Sequence, residues 1–286
     1  PSPTPATARS SSSPDSPDFP PRPGALLCRD HRKLLVVDGH AAVVGGLCIG
    51  DEWDGHRCWR DTAVRLEGPV AWDLDRSFAR VWRQAGGGRI DPGPAPGRAG
   101  DVVARVVDGA PARARAYRLY HVAAATAART LYITGAYPLA PAPLRRALAA
   151  AARAGVDVRL LVPGRSDIPI LNEAGRAHYA TLLRAGVRIY EWRGPMLHAK
   201  TAVADARWAL VGSTNLNPFS LLGCHELDVE IQDPAVAGAL HAQFLHDLAR
   251  AREITPDAWR RRPAAQRWRE RVAAALLWLP CRLYGP

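Results

Sequence analysis

Apolar patterns that alternate between strand and helix periods predict an α/β protein, and a repeated polar motif predicts that the chain arose by internal duplication. Between residues 101 and 262, short apolar runs bounded by Gly, Pro or Asp alternate with longer segments of helical period, as in a sheet covered by helices. The skeleton His-x-Lys-x4-Asp occurs twice, as HRKLLVVD at residues 31–38 and HAKTAVAD at 198–205. The residues after each copy also match. Gly45 and Gly212 each stand 14 residues after their histidine, and WRDTAVRLEGP parallels CHELDVEIQDP, which aligns Asp61 with Glu226.

In chain order, residues 1–25 are a Pro/Ser tract with too little apolar surface to order itself, and a disordered tail is expected there. Residues 26–85 hold the first motif. Two strands flank Asp38-Gly39, a dipeptide suited to a tight hairpin. RDTAVRLEGP reads as a third strand, and AWDLDRSFARVWRQ as a helix carrying Trp72, Leu74, Phe78 and Trp82. Residues 86–100 form a Gly/Pro linker. Residues 101–262 then read as DVVARVV (strand), RAYRLYHVAAATAA (helix), TLYITGA (strand), APLRRALAAAARAG (helix), VDVRLLV (strand), AGRAHYATLLRAG (helix) and VRIYEW (strand). The second motif comes next, then the strand HELDVEIQD and a helix over PAVAGALHAQFLHDLARAR. From Asp101 to His198 the chain runs 97 residues, against 30 ahead of His31, so a first lobe short of about seventy residues is expected, and the start at Pro1 suggests a fragment or shortened product. Residues 263–286 place Arg and Trp ahead of a short apolar run that includes Leu276, Leu277 and Trp278. The segment fits a helix lying on an anionic membrane surface or one capping the second lobe.

A net charge of +11 favours an anionic partner, whether nucleic acid, membrane surface or phosphorylated substrate. Of 38 basic residues only Lys33 and Lys200 are lysine, and both lie in the repeated motif. Random scatter of two lysines over the basic positions would hit this pair in roughly one arrangement in 700. An ammonium is a compact charge that fits between a phosphate oxygen and an imidazole, where a guanidinium fork would displace one of them. The five cysteines form no Cys-x-x-Cys pair and make an odd total, which points to neither a disulfide framework nor a zinc ribbon. No run of about 18 apolar residues suggests a membrane-crossing helix, and no apolar signal-peptide core is present near Pro1.

Two His-x-Lys-x4-Asp copies, each followed by a Gly-Gly or Gly-Ser turn and an acidic strand residue, resemble the phospholipase D superfamily. GGLCIGDEW, WRDTAVRLEGP, LLVPGRSD and GSTNLNPFSLL are similar to segments of bacterial cardiolipin synthases and related phospholipase D-like proteins. The resemblance covers about residues 26–262. It implies two α/β sandwich lobes facing each other across one cleft, with the N-terminal lobe truncated here.

By the same resemblance, His31 is the nucleophile that forms phosphohistidine and His198 the general acid and then base, although the roles could be reversed. Lys33 and Lys200 clamp the nonbridging oxygens. Asn215 donates to phosphate, and its counterpart after His31 is Cys48, a much weaker donor. Asp61 and Glu226 orient the histidines through the ring nitrogen away from phosphorus. Asp38 and Asp205 complete the motifs, at hairpin turns where Asp is favoured for local hydrogen bonding. Gly45, Gly46, Gly212 and Ser213 are turn residues whose small size would also let backbone amides approach phosphate. No metal or cofactor is implied.

The expected activity is phosphatidyl transfer to phosphatidylglycerol by a bacterial, peripherally membrane-associated protein at the cytoplasmic face. Hydrolysis of phospholipid or another phosphodiester is the alternative, and an inactive phosphate- or membrane-binding remnant is a third reading. Aromatic and basic residues are too scattered to support a nucleic-acid groove.

Overall fold

A computed structural model describes residues 30–56, 58–110 and 113–282. The tail expected over residues 1–25 lies outside the described residues, as does the side chain of Trp278. The first half opens with β1 (Leu34–Val37) and β2 (Ala41–Gly45), joined at Asp38 and Gly39, whose φ angles of 52° and 65° are those of a left-handed turn. β3 (Ala63–Glu67) pairs antiparallel with β2, giving a three-stranded sheet. Helix α1 (Pro69–Gln84) starts on a proline and buries Ala71, Leu74 and Ser77. Phe78 and Trp82, expected on its apolar face, continue the stripe of Leu74 four and eight residues on, yet both are exposed and stack on each other.

The second half builds an eight-stranded sheet. Its elements are β4 (Val103–Gly109), α2 (Arg115–Thr126), β5 (Thr130–Thr134), α3 (Ala142–Arg153), β6 (Asp157–Pro163), α4 (Pro169–Arg176), α5 (Tyr179–Arg184) and β7 (Arg188–Trp192). Then come β8 (Thr201–Ala204), β9 (Trp208–Gly212), β10 (Glu226–Gln232), α6 (Pro234–Leu248), β11 (Ala251–Ile254), α7 (Pro256–Arg260) and α8 (Ala264–Arg282). The strand order is β11-β7-β6-β5-β8-β9-β10-β4, with β5, β6 and β7 parallel and the other pairs antiparallel.

Two helix boundaries depart from the sequence reading. The helix expected over residues 174–186 is two helices, α4 and α5, the first starting on Pro169. The helix expected to run to residue 252 stops at Leu248, since residues 251–254 add to the sheet edge. There Arg188 grips Glu253 with two bonds of 2.9 and 3.0 Å across the strands.

The duplication is visible in the register. Leu34 faces Val44 as Thr201 faces Val211, and Gly45 faces Ala63 as Gly212 faces Asp228. β1-β2-β3 therefore matches β8-β9-β10. The small sheet and α1 pack Ala42, Val44, Leu66 and Leu74 against Leu227, Val229 and Ile231 of β10, a core separate from the larger one around β5 and β6. That packing sets the first motif beside the second. Along α8, Leu277 packs toward a cluster of Leu139, Ala174 and Ala273, which supports the capping reading for that residue, while Trp268 and Leu276 are exposed. No described helix is long and apolar enough to cross a membrane.

Candidate active site

Neither histidine lies within a strand, although the motif alone suggests a strand placement. β1 begins at Leu34 and β8 at Thr201, so His31–Lys33 and His198–Lys200 occupy the extended chain leading into them. Each lead-in is held by the opposite half. The His31 N–H donates to the His225 carbonyl at 2.9 Å, and the His198 N–H donates to the Arg60 carbonyl at 2.8 Å. Each histidine thereby runs beside the segment that carries the other copy's carboxylate.

The result is a reciprocal exchange. His31 Nδ1 lies 3.0 Å from each oxygen of Glu226, and His198 Nδ1 lies 2.8 Å from Asp61 Oδ2. With Nδ1 engaged, each ring leaves Nε2 as the nitrogen free for chemistry. The lysines fold back in the same way: Lys33 Nζ donates to the His31 carbonyl at 2.7 Å, and Lys200 Nζ donates to the His198 carbonyl.

Burial governs the electrostatics. Lys200 is buried, and desolvation of its ammonium brings its pKa down to about 7, with Asp61 opposing and Lys33 reinforcing the shift. Burial also lowers Lys33, against the opposing fields of Cys48, Glu226 and Asp61. His198 is lowered by burial, which outweighs its hydrogen bond to Asp61; the charges of both lysines act in the same direction. For Asp61, burial alone would raise the pKa, but the His198 hydrogen bond and the Lys200 charge hold it below the usual carboxylate range. Lys33 thus acts on both Lys200 and His198 across the seam, so the two couples share one electrostatic site.

The remaining expected residues take different places. Ser213 is fully buried, donates to Glu226 Oε2 at 2.5 Å and accepts from the Leu227 N–H at 2.9 Å, so it orients the carboxylate and has no free face for phosphate. Gly46 makes room for a carboxylate, since a Cβ there would stand 2.1 Å from Asp61 Oδ1. Gly45 and Gly212 admit a neighbouring strand instead of an anion: added Cβ atoms would meet the Ala63 Cα at 2.5 Å and the Asp228 Cα at 2.4 Å. Asp205, five residues beyond Lys200 and about 16 Å away along an extended chain, accepts from the N–H groups of Ala128, Arg129 and Thr130 at 2.8 Å each. It latches the start of β5. Asp38 occupies the corresponding hairpin turn at the far end of β1, so neither aspartate lines the site.

Asn215 stays beside the couples. It is buried, its N–H donates to Ser220 Oγ at 2.7 Å, and its Oδ1 has no partner among the described residues, leaving hydrogen-bonding capacity unspent. Cys48 Sγ lies 3.7 Å from the Gly46 carbonyl. Among the described residues, no three His, Cys, Asp or Glu side chains cluster as a metal site.

Several participants escaped the sequence reading. Trp53 Nε1 donates to Asp61 Oδ2 at 3.0 Å, and the rings of Trp53, Trp59 and Tyr137 surround His198 with centroids 5.3, 5.5 and 6.2 Å away. Ser220 Oγ donates to Glu226. Arg60 pairs with Asp247 at 2.7 Å and donates to the Asp61 carbonyl, tying the Asp61 segment to α6. Asp228 is raised to about 7 by burial, while the Thr214 hydroxyl donates to it. The tryptophans stand in motifs flanking the first copy, but no spacing rule singles them out.

Residues 122–248 match the family model described as cardiolipin synthase, PLD-like domain. The chain is a cardiolipin synthase-like member of the phospholipase D superfamily. This phospholipase D-superfamily chain is 30% identical over 257 residues to a probable cardiolipin synthase of Bacillus subtilis, covering 87% of this chain and 51% of that one. It is 32% identical over 260 residues to a cardiolipin synthase of Geobacillus kaustophilus, covering 87% and 52%. It spans about half the length of these curated relatives. In fold it is similar to a phosphatidylserine synthase of Haemophilus influenzae, with a TM-score of 0.66 at 16% identity, covering 91% of this chain and 70% of that one.

Proposed function

We propose that this chain transfers a phosphatidyl group between alcohols by two displacements at phosphorus. The observation that carries the reading is the exchanged pairing of His31 with Glu226 and His198 with Asp61, which leaves both Nε2 atoms unengaged, with the charges of Lys33 and Lys200 both acting on His198. In the first step His31 Nε2 attacks the phosphodiester, forming a P–N bond while the P–O bond to the leaving alcohol breaks. His198, protonated on Nε2, gives its proton to that alkoxide. In the second step the acceptor hydroxyl gives its proton to His198 as its oxygen bonds to phosphorus and the P–N bond breaks. Lys33, Lys200 and the Asn215 amide hold the nonbridging oxygens as negative charge accumulates.

With phosphatidylglycerol as donor and acceptor, the products are cardiolipin and glycerol. The names of the relatives support that choice. Water in place of the acceptor gives hydrolysis as a side reaction, and the part-exposed His31 ring leaves the adduct open to it. The exposed Trp268 and Leu276 of α8 support peripheral attachment to an anionic membrane.

The test is acid-quenched labelling with phosphorus-labelled phosphatidylglycerol. His31→Ala is expected to carry no label, and His198→Ala to form or release its adduct 10²–10⁴-fold more slowly, roughly the range of general acid–base catalysis. Label on His31→Ala protein would sink the assignment. Cleavage of single-stranded DNA without lipid turnover would sink the substrate class.

A further inference from the structure

We propose that a cavity of about 550 Å³ beside His198 is the subsite for the acceptor headgroup, an anionic phosphodiester carrying free polyol hydroxyls; this rests on the transfer reaction proposed above. Its inner wall includes Trp59, whose ring centroid is 5.5 Å from that of His198, and Met196, two residues ahead of it. Its outer wall carries Arg165 and Arg193. Both are exposed, and neither joins an ion pair among the described residues.

The topology explains why these groups converge. Tyr137, Arg165 and Arg193 come just after the carboxyl ends of β5, β6 and β7, three adjacent parallel strands, and ligands of α/β sheets gather at such ends. The Gly164 N–H donates to the Trp192 carbonyl at 3.1 Å, and an added Cβ on Gly164 would meet that oxygen at 2.4 Å, so the glycine brings Arg165 alongside Arg193. Two unpaired guanidiniums suit a phosphodiester. Beside them the Asp167 carboxylate is held by the Tyr137 hydroxyl at 2.8 and 2.9 Å, and Ser166 and His56 add further polar groups for glycerol hydroxyls. Of its lining residues, Trp59 touches the ring of His198, the histidine assigned as the acceptor's base, so an acceptor seated there lies on the His198 side of the site.

Calorimetric titration of the full chain with glycerophosphoglycerol, in a His31→Ala background that forms no adduct, is expected to show two binding events. Arg165→Gln with Arg193→Gln should remove one of them, or weaken it at least about tenfold. Arg165→Lys with Arg193→Lys should keep it in weaker form, and a thermal midpoint separates lost binding from lost fold. No second event in the parent, or an event untouched by the glutamine pair, overturns the proposal. On phosphatidylglycerol vesicles with His31 present, the glutamine pair should raise the acceptor KM about tenfold and shift products toward hydrolysis. Binding lost by the glutamine pair in a chain that transfers no phosphatidyl group would uphold the cavity and defeat the transfer reading. Transfer with an unchanged acceptor KM would do the reverse.

Discussion

The two histidine–carboxylate couples descend from one motif yet are built for different exposure. His198 keeps 6% of its side-chain surface and rests on an Asp61 with none, walled by Trp53 and Trp59. His31 keeps 31%, and its partner Glu226 draws support from the buried hydroxyls of Ser213 and Ser220. At corresponding positions, the first copy has Gly46 where the second has Ser213, and Ala63 where the second has Asp228. The lesson is that duplication preserved the strand register and the carboxylate–imidazole contact, while the means of holding the carboxylate diverged: an indole N–H on one side, two hydroxyls on the other.

The sharpest way to break this comparison is to exchange the carboxylates for amides. Asp61→Asn should impair both proton transfers through His198, and Glu226→Gln both formation and cleavage of the His31 P–N bond, each by roughly 10²–10⁴-fold as in other histidine–carboxylate pairs. Double-mutant cycles should couple Asp61 to His198 and Glu226 to His31; coupling within each copy instead would refute the exchange.

Gly46→Ser, which copies the second site's residue into the first, should cost nearly as much, because its Cβ must displace the Asp61 carboxylate. Activity equal to the parent would show that the first carboxylate has room to move. Trp53→Phe keeps the ring beside His198 but removes the N–H on Asp61. Turnover should fall about tenfold, the worth of one hydrogen bond to a charged group, with adduct formation and resolution both slowed, since His198 serves both.

The smallest effect is one of stability with pH. Burial raises Asp228 from 3.8 to about 7, so within that window the folded chain holds a proton that the unfolded chain has released, and stability falls as pH rises. Lys200, lowered from 10.5 to about 7, has the opposite sign: above pH 7 the unfolded chain binds the extra proton, and stability rises with pH. Together they predict a shallow minimum near neutrality in the denaturation midpoint. Asp228→Ala, which copies Ala63 of the first half, should flatten only the acidic side. A slope unchanged in that variant would assign it to another group.

Local pattern was enough for the α/β class, the hairpins at Asp38-Gly39 and Asp205, and the duplication, since strand period, turn chemistry and motif spacing are written within a few neighbouring positions. The exchange of carboxylates was not legible. The His31–Glu226 contact joins residues 195 apart and His198–Asp61 residues 137 apart, and their partnership exists only because β10 packs against the small sheet. The same holds for the glycines and Ser213, which as residue types suit a phosphate loop; only the approach of Asp61, Asp228 and Glu226 reveals that they make room for, or hold, those groups. A side chain's type is set along the chain, but what occupies the space beside it is set by packing between distant segments.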